Sequence, residues 1–231
     1  MIKNVLNTNK FRYERKFVIS YLSLFELESI VRLHPAMFLE VFPQRFVNNI
    51  YLDSFGKESY VDNVNGASQR SKVRIRWYGD LFKNIQTPVL EFKSKNNLLG
   101  TKTSFVLSDF SLDKKFSRKI LRNVFFSSDL PLVVLQQLSL LDLSLLNRYS
   151  RRYFQSADCK FRITLDFDME FYKLLPVRNT FLCRSDNKMD TILELKYAEN
   201  LEEEVDCITR YLPFRITKSS KYISGLDSLN F

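Results

Sequence analysis

Basic and acidic side chains recur at every second position in four short segments of this sequence, with apolar residues between most of them. The alternating charged positions are Lys72, Arg74 and Arg76; Glu91, Lys93 and Lys95; Arg162, Asp166 and Asp168; and Glu194 and Lys196. A period of two is that of a β-strand, whose side chains point alternately to its two faces. Each segment is therefore predicted to be a strand that carries its charges on one face.

Such faces could bind phosphate together with a metal ion. The guanidinium group of arginine matches two phosphate oxygens at once, whereas the ammonium group of lysine acts as a point charge. Strands that carry several of these cations could surround a chain of phosphates. The carboxylates among them could hold a hard divalent cation such as Mg²⁺ or Mn²⁺, which takes oxygen ligands and bridges to substrate phosphates.

Two architectures fit these strands. In the first, an antiparallel sheet packs its apolar face on the core and exposes its charged face to water. In the second, the sheet closes on itself with the charges inside and the helices outside. The pattern alone leaves both open, but Lys72, Arg74 and Arg76 on one face would repel one another unless an anion lay between them.

The composition limits the chemistry that the chain can perform. The 231 residues include 35 Lys and Arg against 26 Asp and Glu, a net charge of +9, which predicts an anionic partner. The one histidine, His34, precedes Pro35 and is expected to end a helix, which leaves no His-based zinc or nucleophile site. Cys159, Cys183 and Cys207 lie far apart, which favours reduced thiols. Cys159 and Cys207 are expected to act as small hydrophobic residues.

Helices are expected between the strands, and the chain is expected to form one domain. The helix predictions cover residues 23–33, 109–126, 131–146 and 201–212. No repeat or linker divides residues 1–231. The apolar stretch 130–146 is interrupted by Gln136, Gln137 and Asp142, and the N terminus lacks the apolar segment of a signal peptide. We therefore expect a cytoplasmic protein with no membrane span of its own.

In chain order, the charged motifs resemble those of the VTC domain. This is the polyphosphate polymerase domain of the vacuolar transporter chaperone complex, a branch of the triphosphate tunnel metalloenzymes. The matching positions are Arg12, Glu14 and Lys16; residues 72–79; Glu91, Lys93 and Lys95; Lys102; Tyr149 and Arg151; residues 161–166; residues 192–197; and residues 219–222. The resemblance rests on the common order of these motifs over nearly the whole chain.

The resemblance implies a fold, an activity and a set of site residues. The fold is α+β, a closed antiparallel β-tunnel of about eight strands with a polar, basic interior and helices packed on the outside. The activity is transfer of the γ-phosphoryl group of ATP to a growing inorganic polyphosphate chain, with Mn²⁺ or Mg²⁺. By motif position, the phosphate-binding residues are Arg74, Arg76, Lys93, Lys102, Arg151, Arg162, Ser220 and Lys221, with Lys16 and Lys196 lining the same tunnel. Glu194 matches the metal-holding glutamate, and the expected catalytic residues are Arg74, Arg76, Lys221 and Glu194.

The sequence departs from the family's pattern at one position and leaves several functions open. Arg12 stands where many tunnel triphosphatases and adenylate cyclases have glutamate, which resembles the polyphosphate branch and counts against simple triphosphate hydrolysis. A triphosphatase or polyphosphatase of the same fold and a non-catalytic polyphosphate-binding module are the alternatives. Nucleic acid is not the expected partner, because the cations lie at strand period among carboxylates. A membrane partner protein would be needed for export of the product.

Four cations are left out of the site because they are expected to point outward: Arg15, Lys95, Arg148 and Arg152.

Overall fold

The computed structural model describes residues 12–96 and 99–230. Phe11 lies outside this part of the chain, as do the side chains of Arg12 and of Lys95. The elements in chain order are β1 (Arg12–Ile19), α1 (Leu24–Arg32), β2 (Leu39–Asp53), α2 (Glu58–Val64), β3 (Gln69–Tyr78), β4 (Lys83–Ile85), β5 (Val89–Asn96), β6 (Leu99–Val106), β7 (Phe110–Leu112), α3 (Arg118–Ser127), α4 (Leu132–Ser139), β8 (Asp142–Gln155), β9 (Arg162–Lys173), β10 (Arg184–Asn187), β11 (Thr191–Ala198), a 3₁₀ turn (Glu199–Leu201), α5 (Asp206–Thr209) and α6 (Lys221–Ser228).

Nine of these strands form one antiparallel sheet. Their order is β10-β9-β11-β1-β6-β5-β3-β2-β8, and β8 also pairs with β9. The ladder between β1 and β6 consists of one described pair, Arg12 with Gly100. The expected α+β class and antiparallel sheet are therefore confirmed. A continuous ladder of hydrogen bonds does not close the sheet at the β1–β6 seam in the described residues, which departs from the closed tunnel that was expected.

The outward face of the sheet is apolar and is covered by helices. Leu27 and Val31 of α1 lie in one buried cluster with Phe17, Ile163 and Leu193 of the strands. A second cluster joins strand residues such as Ile75 and Leu90 to α3 and α4. Burial of a large aliphatic or aromatic side chain contributes about 1.5–3 kcal/mol. These clusters hold the strands in place while leaving their other face for polar side chains.

The C-terminal helix α6 covers part of that other face. Tyr222 and Leu226 of α6 pack in a buried cluster with Tyr51 of β2 and Leu145 of β8. The helix approaches so closely that a Cβ added at Gly225 would lie 2.5 Å from the Leu145 Cδ2 atom. One end of this face is thus filled by apolar packing against α6, and the rest is polar.

The helix predictions were confirmed in part. The predicted helix 23–33 corresponds to α1, which begins with a capping box between Ser23 and Glu26. The segment 109–126 begins instead with β7, because Phe110 and Leu112 are buried on one face of a short strand, and its helix starts after the cap residue Ser117. The predicted helix 131–146 was wrong beyond Ser139, where β8 starts at Asp142.

The remaining predictions outside the sheet have mixed outcomes. The segment 201–212 forms only α5, one turn long. His34 follows the end of α1, is buried, and accepts a hydrogen bond from the Ala36 N–H at Nδ1. Cys159 and Cys207 are exposed thiols, so their assignment as small hydrophobic residues was wrong; Cys159 lies in a turn with φ 62°. Over the described ranges, no helix has the length and apolar character needed to cross a bilayer.

Candidate active site

Thirteen ionisable side chains meet on one face of the nine-stranded sheet, and we call them the charged cluster. Nine are basic and four are acidic, which leaves five positive charges in excess. The basic members are Lys16, Lys72, Arg74, Arg76, Lys93, Lys102, Arg151, Lys196 and Lys221, and the acidic members are Glu14, Glu91, Asp166 and Glu194. Two-residue spacing along β1, β3, β5 and β11 brings nine of them to the same face, and β6, β8, β9 and α6 each supply one more. An excess of this size favours the binding of an anion.

Glu91 organises the cations of β3 and β6. Its Oε2 atom lies 2.7 Å from Nε and 2.6 Å from Nη2 of Arg74, and 3.8 Å from Nη1 of Arg76. Its Oε1 atom lies 3.0 Å from the Lys102 ammonium. Arg76 also donates from Nε to Oδ1 of the buried Asn49 at 2.9 Å. These contacts hold both guanidinium groups in fixed orientations, which favours bidentate binding of phosphate oxygens.

Three lysines lie side by side across the adjacent strands β3, β5 and β6. Lys72 is in register with Lys93, and Lys93 is in register with Lys102. Like charges directly opposite one another destabilise a sheet. Lys93 and Lys102 are compensated by Glu14 and Glu91 at 2.9 and 3.0 Å. Lys72 instead donates to the Ser220 hydroxyl at 2.8 Å, so this row needs further negative charge.

The buried end of the charged cluster centres on Asp166 and Glu194. Asp166 pairs with Arg151 and, through Oδ2, lies 2.5 Å from the Lys221 ammonium. Glu194 contacts Lys196 at 2.7 Å, Arg151 at 3.2 Å and Lys221 at 3.4 Å. The Lys221 side chain is 7% exposed, whereas that of Lys102 is 42% exposed. The cluster therefore runs from a solvent-accessible end to a deeply buried end.

The carboxylates of the cluster are held ionised. Burial by itself raises the pKa of Glu194, but four surrounding cations lower that pKa well below its ordinary value. The same opposition between burial and nearby cations leaves the pKa values of Glu14, Glu91 and Asp166 lowered. Burial lowers the pKa of Lys221, but Asp166 and Glu194 reverse this and raise it. Both partners of the deepest ion pairs are thus charged at neutral pH.

The pKa of Lys72 is lowered, as are those of Lys93 and Lys196, but in the described residues no carboxylate contacts Lys72. Burial and then the charges of Lys16, Lys93, Arg70 and Arg74 lower the pKa of Lys72 to about 7. Without a carboxylate in contact with it, its protonation has to be stabilised by an added anion. Its ammonium is therefore the cation of the cluster most sensitive to what is bound there.

The N terminus of α6 completes the buried end. Ser220 caps the helix by accepting from the Ile223 N–H at 3.4 Å, and its hydroxyl also accepts from Lys72. Lys221 follows in the first turn, with its ammonium 4.8 Å from the Tyr149 ring centre. Tyr222 anchors the helix because its hydroxyl donates to Asp53 at 2.5 Å. The position of Lys221 consequently depends on the docking of α6.

A family model supports the interpretation of these motifs. The model named VTC domain matches residues 11–230, which is nearly the whole chain. The chain belongs to the VTC domain family. The resemblance seen in the charged motifs is thereby confirmed, although membership alone does not define the reaction.

Solved structures show the same fold at low sequence identity. The PH1819 protein from Pyrococcus horikoshii OT3 is 13% identical with a TM-score of 0.50, and the match covers 94% of this chain and 98% of that one. A putative adenylyl cyclase from Hippeastrum, described as having a dominant triphosphatase activity, is 11% identical with a TM-score of 0.53. The match covers 94% of this chain and 95% of that one. A putative adenylate cyclase from Vibrio parahaemolyticus is 12% identical with a TM-score of 0.53, and the match covers 94% of this chain and 99% of that one. No curated protein matches the sequence significantly.

The VTC domain brings together ten of the eleven site residues expected from its sequence. Lys16, Arg74, Arg76, Lys93, Lys102, Arg151, Glu194, Lys196, Ser220 and Lys221 contact one another directly or through shared partners. Arg162 lies apart: it is exposed at the start of β9, in register with Lys196, and has no charged partner in the described part of the chain.

Three excluded arginines lie on the opposite face of the sheet, as expected. Arg15 pairs with Glu202, Arg152 pairs with Glu40, and Arg148 stacks on Phe46. The expected site omitted four members of the charged cluster, although all four follow the alternating pattern that identified their neighbours: Lys72, Glu14, Glu91 and Asp166. It also omitted Asn49, whose buried amide carries no charge and gave no signal in the sequence.

The family implies a divalent metal, and the carboxylates of this VTC domain fit one. Glu14 and Glu194 approach the Lys16 ammonium from two sides, at 3.2 and 3.5 Å. A cation thus already sits between two carboxylates held ionised by their surroundings. No group of three or more His, Cys, Asp or Glu residues suited to a metal occurs in the described ranges. Two carboxylates suffice for Mg²⁺ or Mn²⁺ when substrate phosphates and water supply the other ligands.

Proposed function

We propose that this VTC domain is a polyphosphate polymerase that transfers the γ-phosphoryl group of ATP to a growing inorganic polyphosphate chain. We place the reaction in a basic tunnel formed by the charged face of the sheet, with Mn²⁺ or Mg²⁺ held by Glu194. The whole chain, residues 1–231, acts in this proposal as one cytoplasmic domain.

The observation that carries the proposal is the excess of five positive charges in the charged cluster. The cations of the cluster lie on six strands and on α6, so a chain of phosphates, which carries several charges in sequence, can contact more of them than a single phosphate can. The row of Lys72, Lys93 and Lys102 adds to this argument, because repeated charges of one sign are best neutralised by a polymer of the opposite sign.

In this proposal, different residues of the charged cluster orient the phosphoryl group and neutralise its charge. The reaction has a loose transition state and requires in-line positioning and neutralisation of charge. Arg74 and Arg76, fixed by Glu91 and Asn49, orient the transferred phosphoryl group, and Lys221 and Arg151 neutralise charge at the buried end. When bound by Glu194 with Glu14, the metal ion supplies further charge neutralisation on the phosphate oxygens. The acceptor phosphate is itself an anionic nucleophile, so no histidine or cysteine base is needed.

Hydrolysis of triphosphate or short polyphosphate is the second candidate. It would use the same residues with water as the acceptor, and the Hippeastrum protein of the same fold is described as having a dominant triphosphatase activity. The same site without either reaction would bind polyphosphate only.

Product analysis separates these three functions. The purified protein is incubated with ATP and Mn²⁺, and the products are resolved on a polyphosphate gel beside assays of free phosphate and ADP. A ladder of long anionic chains together with ADP is expected. Free phosphate without a ladder would identify a hydrolase, and binding of polyphosphate without ATP turnover would identify a binding module.

A further inference from the structure

An exposed aromatic group lies beside the charged cluster, and we call it the rim cluster. It consists of Phe42, Arg45, Tyr78 and Tyr153. The Arg45 guanidinium carbon lies 4.2 Å from the Tyr78 ring centre, 4.7 Å from that of Tyr153 and 5.6 Å from that of Phe42. Arg45 Nε also donates to the Tyr153 hydroxyl at 3.0 Å. These planar groups therefore lie against one another, on β2, β3 and β8.

The rim cluster continues the charged face of the sheet. Tyr78 follows Arg76 by two residues on β3, and Tyr153 follows Arg151 by two residues on β8. Two residues along a strand span about 6.6 Å and return to the same face. Arg45 is in register with Arg151, whose guanidinium carbon lies 5.9 Å from the Tyr153 ring centre. A ligand whose phosphates contact Arg76 and Arg151 would place its next group on the rim cluster.

Much of the rim cluster is open to solvent. Phe42 is 54% exposed and Tyr78 is 48% exposed, and Arg45 is also exposed. Aromatic rings and arginine planes that are free on one side are the groups on which nucleobases stack. At the end of the face covered by α6, Tyr51 and Tyr149 are buried and cannot offer such a surface. The rim is therefore the end of the face that suits a base.

We propose that the rim cluster binds the base of a nucleoside triphosphate whose phosphates extend toward Arg76 and Arg151. This inference deepens the proposed function and rests on it, because it assigns the nucleotide to one end of the charged face. The incoming nucleoside triphosphate then occupies the end of the face with Tyr78, and the phosphate chain occupies the remainder. Stacking makes no hydrogen bond to the base edge, so the site accepts adenine and guanine alike.

The test compares two ligands that share their phosphates and differ in the base. Dissociation constants of the β,γ-imido analogue of ATP and of tripolyphosphate, each with Mn²⁺, are measured by calorimetry. Stacking on one aromatic ring changes affinity by roughly ten-fold. Tyr78→Ala is expected to weaken binding of the nucleotide analogue by about that factor and to leave tripolyphosphate binding within about two-fold. Tyr78→Phe keeps the ring and is expected to bind both ligands like the unmodified protein.

Controls make the outcome decisive. Tyr21→Ala removes a tyrosine that is even more exposed than Tyr78, in the loop between β1 and α1, and is expected to change neither affinity. Thermal melting checks that Tyr78→Ala is folded. Unchanged nucleotide binding in Tyr78→Ala, or an equal loss for both ligands, would overturn the inference while leaving the phosphate site intact. If the unmodified protein binds neither ligand, the proposed function fails as well.

Discussion

Lys221 in the first turn of α6 and Asp166 in the middle of β9 form a buried ion pair, with 2.5 Å between Nζ and Oδ2. The pair connects the C-terminal helix to the deepest part of the charged cluster. Removing one partner of such a pair leaves an uncompensated buried charge, which lowers the free energy of unfolding by about 3–5 kcal/mol. The docking of α6 and the electrostatics of the site are consequently coupled.

Removing the charge of Glu194 is expected to separate catalysis from binding. Glu194→Gln leaves a side chain of similar size but withdraws the carboxylate that is proposed to hold the metal, and we expect turnover with Mn²⁺ to fall about 100-fold or more. Polyphosphate binding is expected to become no weaker, because one negative charge leaves the cluster. Turnover and a polyphosphate affinity are measured on the same preparation. Glu202→Gln, on the opposite face beside Arg15, is the control, and near-normal turnover in Glu194→Gln would contradict the proposed metal site.

Arg74 is expected to matter for the rate of phosphoryl transfer. Its two contacts with Glu91 fix the guanidinium group on the charged face, and Arg74→Ala removes that charge and its orientation. We expect the rate of ADP formation from ATP to drop by roughly two orders of magnitude. Arg152→Ala is the matched control, since Arg152 pairs with Glu40 on the other face. Equal rates for the two variants would remove Arg74 from the site.

Binding of phosphate is expected to be coupled to protonation of Lys72. The pKa of this amine, lowered by burial and the surrounding cations to about 7, leaves most of it neutral at pH 8 in the free protein. A bound anion raises the pKa, so the protein takes up a proton on binding at pH 8. At pH 6 the amine is already charged and this uptake disappears.

Calorimetry in buffers of different ionisation enthalpy measures that uptake directly. Tripolyphosphate is titrated into the unmodified protein and into Lys72→Met at both pH values. Because the ligand contributes equally in the two proteins, the difference between them reports on Lys72. A buffer dependence that is the same in both proteins at pH 8 would show that Lys72 does not titrate with binding.

The close approach of α6 predicts a large effect at one glycine and none at another. A Cβ at Gly225 would meet Leu145 and Phe171 at 2.5 Å, so Gly225→Ala is expected to destabilise the protein by about 1–3 kcal/mol, despite the better helix propensity of alanine. At Gly56 no atom lies within 4 Å of an added Cβ, and Gly56→Ala is expected to leave the melting temperature nearly unchanged. Melting temperatures test both, and equal values would argue against tight docking of α6.

The sequence predicted those strands whose two faces differ in chemistry. Lys72 to Arg76 and Glu194 to Lys196 alternate visibly, and β3 and β11 lie where the alternation does. The long strands β2 and β8 were missed because residues 47–53 of β2 and most of residues 143–150 of β8 are buried on both faces. Buried polar residues such as Asn48, Asn49 and Asn147 interrupt any alternation of apolar and charged positions there. Helix α6 was also missed, since its helical pattern is short and contains Gly225.

The same physical reason explains which parts of the site were found. Cations at strand period, such as Arg74 and Lys93, could be grouped from sequence because the pleat places them on one face. Partnerships across distant strands could not be read in this way. The bond from Arg76 to Asn49 and the contact of Lys72 with Ser220 depend on strand order and on the docking of α6. Arg162 follows the pattern but lies exposed at a strand end, where the pattern carries no information about depth.

The carboxylates interleaved with the cations have a consequence for a polymer that must move. A phosphate that binds any of these cations other than Lys72 has to compete with Glu14, Glu91, Asp166 or Glu194, which already contacts that cation. These carboxylates therefore compete with the phosphates for the cations. As a result, the binding free energy of the polymer differs less from one position along the cluster to the next. On the proposed function, the product would slide forward by one phosphate after each transfer instead of being trapped by its own affinity, which is the condition for processive elongation.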